Sequence, residues 1–141
     1  MRTRSETSKK NEYYISKARK YELIWFCRQY KEWQKEYNED ILYLKAHDNI
    51  PVYGVRNSEW VDIVAKTAMR KKELYDKMQL VEFCCTLLGD IGKFIFMTVV
   101  DGKSYEVLKA NYPDEILWSK AHYYKEYHHF FYILSQHKHS V

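Results

Sequence analysis

The sequence predicts an all-α fold, a long antiparallel helical hairpin followed by a C-terminal helix-turn-helix, and three observations predict it. Among 141 residues there are only four Gly and two Pro, with 30% charged residues, a composition of long helices rather than of a turn-rich β fold. Apolar residues recur at steps of three and four over most of the chain, the period of one helix face. The breakers gather at 48–57, 89–92, 101–102 and 111–114, leaving two long segments, two short ones and a last long one. At this length one domain is expected. Residues 1–10 should be a flexible N-terminus, 11–88 the hairpin, 89–136 the helix-turn-helix and 137–141 a polar tail.

From Asn11 to about His47 there is no Gly or Pro, and Leu23, Phe26, Tyr30, Trp33, Tyr37, Ile41 and Leu44 form one stripe, so a single helix of about ten turns is expected. The opposite side, with Lys31, Glu32, Lys35, Glu36 and Glu39, is a solvated face. Pro51 and Gly54 then interrupt. Asn57 or Ser58 is placed to cap the next helix. There Leu74, Met78, Val81, Cys85 and Leu88 step four-three-four-three, a coiled-coil-like seam. After Gly92 the local signals divide. Residues 94–100 (FIFMTVV) are rich in strand formers and Asp101-Gly102 is a hairpin signal. An isolated two-stranded hairpin is only marginally stable, however, and Ser104 with Glu106 suits a helix start. From Ser119 or Lys120 to Ser135 no breaker occurs, and Tyr123, Tyr127, Phe130, Phe131 and Leu134 share a face.

The net charge of +4 permits nucleic acid without demanding it. Residues 1–35 hold ten Lys/Arg against four acids, whereas 115–141 hold three Lys, two Glu and five of the six histidines. A basic patch is therefore expected on the first helix and mid-chain, with Arg19, Lys20, Lys71 and Lys72 as helpers in gripping a duplex. Cys27, Cys84 and Cys85 are odd in number and lie in apolar helical surroundings, which points to buried free thiols in a reducing compartment. No signal-like apolar run follows the basic start, and 94–100 is far too short to span a membrane. A cytoplasmic protein with no membrane partner is expected. The histidines show no zinc spacing, and there is no phosphate loop, G-x-S-x-G or apolar carboxylate pair. Neither a metal, a cofactor nor a catalytic residue is expected. The aromatic pairs Tyr21/Trp25 and Tyr123/Tyr124 read as core or dimer interface rather than as platforms for bases.

Several stretches carry a resemblance. Residues 73–82 (ELYDKMQLVE) precede 101–108 (DGKSYEVL), of the form G-x-S-[YW]-x-x-[IL], and then YYKEY at 123–127 and FFYIL at 130–134. In this order the chain resembles, over roughly 12–136, the ArpU/RinA-like late transcriptional regulators of phages and prophages of Gram-positive bacteria. The resemblance implies a helical hairpin carrying a sigma-factor-like helix-turn-helix, and a non-enzymatic regulator in the bacterial host's cytoplasm. It implies double-stranded DNA as partner, with RNA polymerase or another host protein as a further one. The apolar stripe adds an expected homodimer. Where that family carries several Arg/Lys on its last helix, this chain has Lys120, Lys125 and His128-His129, and its turn at 111–118 is long and contains Pro113. If the last helix enters a major groove, its outward residues near the N-terminal end should meet bases and phosphates. These are Ser119, Lys120, His122, Tyr123 and Lys125, with Glu126 and His129 one turn on and Ser104 as a cap that also reaches phosphate. Histidine contacts would strengthen below about pH 6.5. The alternative is a phage-encoded protein-interaction module, for instance an inhibitor of a host factor, on the same scaffold.

Overall fold

A computed structural model describes residues 11–48 and 58–139. The expected flexible start at 1–10, the link with its Asn57 cap, and the last two residues lie outside the described residues. Within them the fold is all-α, as expected: α1 (Lys17–Arg28), α2 (Tyr30–Asp48), α3 (Ser58–Thr86), a 3-10 turn (Gly89–Ile91), α4 (Gly92–Asp101), α5 (Tyr105–Asn111) and α6 (Lys120–His139). The chain forms two compact units. One holds α1, the end of α3 from Leu80, and all that follows; the other is Tyr30–Gln79. This division falls elsewhere than the sequence boundary drawn at residue 88.

The expected single helix over 11–47 starts later and is interrupted once. Asn11 Oδ1 accepts from Tyr13 N at 2.8 Å and Ser16 Oγ from Arg19 N at 3.2 Å, local bonds that compete with helix and make Ser16 the N-cap of α1. At Gln29 the side-chain amide donates to Trp25 O at 3.2 Å, while its backbone N–H bonds Phe26 O. The side chain thus takes the carbonyl that a continuous helix would offer to the backbone, and α2 restarts at Tyr30.

In the Tyr30–Gln79 unit, α2 and the first part of α3 pair antiparallel. Lys77 Nζ lies 5.7 Å from the Trp33 ring centre, Tyr37 packs on Tyr75 at 6.0 Å, and Arg70 reaches Asp40. Partner numbers fall as numbers along α2 rise, as a hairpin requires. Tyr30, Trp33, Leu74 and Met78 are buried. So is Asp40, at 2% exposed, which receives both Arg70 Nε at 2.9 Å and the neighbouring guanidinium nitrogen, a two-pronged pairing.

In the other unit α1 packs against α4 and α6, and α4 against α6. Leu23 and Cys27 of α1, Val81, Cys84 and Cys85 of α3, and Phe130, Phe131 and Leu134 of α6 are buried there. The strand-like run 94–100 is helical because burial decides: Phe94, Ile95, Thr98, Val99 and Val100 are all inside, and tertiary packing overrides a weak local preference. Asp101-Gly102 ends this helix instead of turning a hairpin. Gly102 sits at φ 74° and its N–H donates to Thr98 O at 3.0 Å, the left-handed cap that glycine allows. Gly92 is required for space, since a Cβ there would stand 1.9 Å from Cys85 O. At the far end α6 runs to His139, so most of the expected polar tail is helix. Among the described residues no helix is long and apolar enough to cross a membrane.

Candidate nucleic-acid interface

The segment α4–α5–α6 contains the stretch read as a helix-turn-helix. Ser104 starts α5, its Oγ accepting from Val107 N at 3.3 Å. The link to α6 is folded on itself rather than loose. Tyr112 N donates to Leu108 O at 2.8 Å, and Tyr112 O accepts from Ile116 N at 3.0 Å. Ile116 is fully buried, and Lys109 Nζ donates to its carbonyl at 2.5 Å. Phe94 packs on Tyr112 and Trp118 at 5.6 and 6.0 Å. A link this long is therefore compatible with a fixed geometry, because it carries its own apolar plug.

Two tyrosines fix α5 on α6. Tyr105 OH donates to Trp118 O at 2.6 Å, its backbone N–H donates to Tyr124 OH at 3.3 Å, and its ring meets Tyr123 at 5.4 Å. Ser119 begins α6, with its Oγ accepting from His122 N at 3.1 Å. Lys120 bridges back to Glu106 of α5. Both side chains are about half exposed, 53% and 52%, so this ion pair contributes at most about 1 kcal/mol.

The expected contact residues separate into three groups. Ser119, Lys120, His122 and Lys125 are exposed together over the first turns of α6. Ser104 and Ser119 are first of all helix caps. Tyr123, Glu126 and His129 do not present themselves as expected. Tyr123 is fully buried, its hydroxyl donating to Phe94 O at 2.9 Å and meeting Thr98 Oγ1; burial pushes its phenol well up. It is a core residue and cannot read a base edge. His129 lies beneath the Tyr13 ring, stacked at 4.1 Å with 13° between planes, and its Nδ1 is 3.3 Å from Glu126 Oε2. The N-terminal segment thus covers the second turn of the proposed contact face.

The helper cations divide likewise. Arg19 is exposed, whereas Lys20 is 1% exposed. Its Nζ hydrogen-bonds His128 Nδ1 and lies 5.4 and 5.7 Å from the Tyr127 and Phe131 ring centres. Burial lowers the Lys20 amine to about 7. His128 falls to about 4 through burial and then through Lys20, so this histidine resists the charging near pH 6.5 expected of an exposed one. Lys71 and Lys72 belong to the other unit, Lys71 lying 5.9 Å from the Tyr37 ring centre and Lys72 paired with Asp76 at 3.0 Å. Tyr21 and Trp25, expected in a core or interface, are exposed on this chain.

The sequence reading missed Lys20 and Asp40 as buried groups, although a signal existed. Lys20 precedes Leu23 and Cys27 at steps of three and four, and Asp40 follows Trp33 and Tyr37 at steps of four and three. Both occupy stripe positions, and only their charge argued them outward. The three cysteines are free and buried, as expected; burial, then Cys85 and Cys84, raise the Cys27 thiol, and burial raises Cys84 to about 12. Among the described residues no three His, Cys, Asp or Glu side chains gather in a metal-holding group. Compared with family models, with curated proteins and with solved structures, the chain matches none.

Proposed function

We propose that this chain is a phage-type, DNA-binding transcription regulator that presents the first turns of α6 to a duplex. The observation that carries the reading is the exposure of Ser119, Lys120, His122 and Lys125 on one helix end, while α5 and the buried Ile116 hold that end in place. Exposed polar side chains near the start of a firmly seated helix are what major-groove reading needs. The resemblance to the ArpU/RinA-like regulators adds the phage context. The contact set is narrower than the sequence implied: Lys120 and Lys125 carry the phosphate contacts, His122 faces the groove, and Tyr123 has no part in it.

The grip is modest, because Glu106 holds Lys120 and adds negative charge beside the groove. The test is fluorescence anisotropy of the full chain on duplex fragments from its own genomic neighbourhood, across a salt series. Lys120→Ala and Lys125→Ala should each weaken binding and lower the salt slope by about one. Glu106→Gln should tighten binding. No duplex binding at low salt, or binding indifferent to all three substitutions, removes this function.

A further inference from the structure

The residues just before α1 lie against α6, and the function above gives them no task. Asn11 closes a short turn, its Oδ1 accepting from Tyr13 N at 2.8 Å and its carbonyl from Tyr14 N at 3.1 Å. The Tyr13 ring stacks on His129 at 4.1 Å and tilts against Tyr132 at 5.7 Å. His122, Lys125, His129 and Tyr132 succeed one another at steps of three, four and three, so they lie on one side of α6. Tyr13 is therefore seated on the continuation of the face that carries His122 and Lys125. Lys20 meets His128, whereas Glu22 and Phe26 meet Lys138, so α1 runs parallel to α6. The chain leading into α1 thus stands beside the middle of α6, not beside its far end.

We propose that residues 1–10 act as an arm along the phosphates flanking the groove that α6 enters, with Tyr13 as its anchor; this rests on the duplex reading above. The segment carries Arg2, Arg4, Lys9 and Lys10, and these four cations outnumber the acids Glu6 and Glu12 before the anchor. The acid on α6 beside the anchor, Glu126, is held by His129 Nδ1 at 3.3 Å. Ten residues span up to about 33 Å, and Lys125 stands about 6 Å from His129 along the helix axis, so the duplex contacts are within reach. The remaining residues between Arg2 and Tyr13 are Thr, Ser and Asn, with no apolar side chain among them. Cations interleaved with hydroxyls suit phosphate oxygens, whereas a protein groove asks for an apolar anchor. The arm also supplies what α6 lacks: Lys120 and Lys125 alone would release about two counterions, and four more cations raise that to about six.

The test is anisotropy of the full chain on the same duplex fragments across a salt series, with Arg2→Gln, Arg4→Gln, Lys9→Gln and Lys10→Gln combined in one variant. The slope of log affinity against log salt should be about −5 for the wild type and about −2 for the combined variant, which should bind about tenfold or more weakly at low salt. Tyr13→Ala keeps all four cations, so it should hold the wild-type slope yet weaken binding about threefold or more, because a lost anchor lowers the arm's effective concentration. Tyr13→Phe keeps the stacked ring and should bind like the wild type. A combined variant with wild-type slope and affinity overturns the arm, and undiminished sensitivity to Lys120→Ala and Lys125→Ala then leaves the duplex reading standing. Tyr13→Ala indistinguishable from the wild type overturns the anchor. Tighter binding of a dT20 oligonucleotide or of a random Glu/Tyr copolymer than of duplex, lost in the combined variant, assigns the cations elsewhere and overturns the proposal. No duplex binding by the wild type at low salt removes the arm and the function together.

Discussion

Lys20 is a charged residue at a core position, and its consequences are measurable in the pH dependence of stability. Burial brings its amine from 10.5 to about 7. Between those values the unfolded chain holds a proton that the folded chain lacks, so stability rises with pH across the window. Below about 7 both states are protonated and the full cost of burying the charge remains. His128, lowered from 6.5 to about 4, adds a second rise between those two values. Thermal melting of the wild type should therefore move upward from pH 4 to about pH 8.5; above about pH 9 the three raised thiols oppose the rise, because the unfolded chain then loses protons that the folded chain keeps. Lys20→Met, which keeps the buried stem, should melt higher than wild type at pH 6, with the difference shrinking by pH 10. A wild-type melting curve flat over that range would contradict the assignment. At Tyr123 the opposing roles separate cleanly. Tyr123→Phe removes the hydroxyl that bonds Phe94 O and Thr98 and should cost about 1 kcal/mol in denaturant titrations. Duplex affinity, measured well below the melting temperature, should not change. A base-reading role would give the reverse pattern.

At the level of elements, the sequence pattern was informative wherever one face of a helix is buried and the other wet. The α3 seam shows this: Leu74, Met78, Val81 and Cys85 are all buried at the predicted spacing, whereas Leu88, the last seam position read from the sequence, is half-buried and lies past the end of α3 at Thr86. The serine starts of α5 and α6 were also legible, because a cap is a local bond between neighbours. Less legible was α4, whose burial on nearly all sides erases any period and leaves only strand-like composition. The break at Gln29 leaves no mark in the pattern, since the side-chain amide bonding a carbonyl four residues back is not a periodic feature. The stack of Tyr13 on His129 joins the two ends of the chain, beyond the reach of any periodicity. Gly92 offers the sharpest test at this scale. Its Cβ would collide with the Cys85 carbonyl at 1.9 Å, backbone that cannot give way as a side chain can. Gly92→Ala should destabilise by about 2 kcal/mol or more, since overpacking forces backbone shifts. An alanine variant with wild-type stability would mean that α4 approaches α3 less closely.

For the whole molecule, the buried thiols report on global opening. Cys27, Cys84 and Cys85 come from α1 and α3 and are all inside, and their thiols are held up by burial. A thiol-reactive disulfide reagent should label fewer than one cysteine per chain in native buffer and all three in denaturant, at a native rate set by unfolding. Fast labelling of Cys84 or Cys85 in native buffer would show that the end of α3 opens independently.

The path of α3 bears on how this protein can be taken apart. The boundary between the two compact units falls between Gln79 and Leu80, yet both belong to one uninterrupted helix, Ser58–Thr86. A gene cut there would not fall in a linker. It would sever the main-chain ladder and create two raw helix ends, stranding up to four carbonyls on one fragment and four amides on the other. Expression fragments, fusions and grafts should therefore overlap across α3 instead of meeting at residue 79. Swapping either unit into another protein requires carrying the whole rod along.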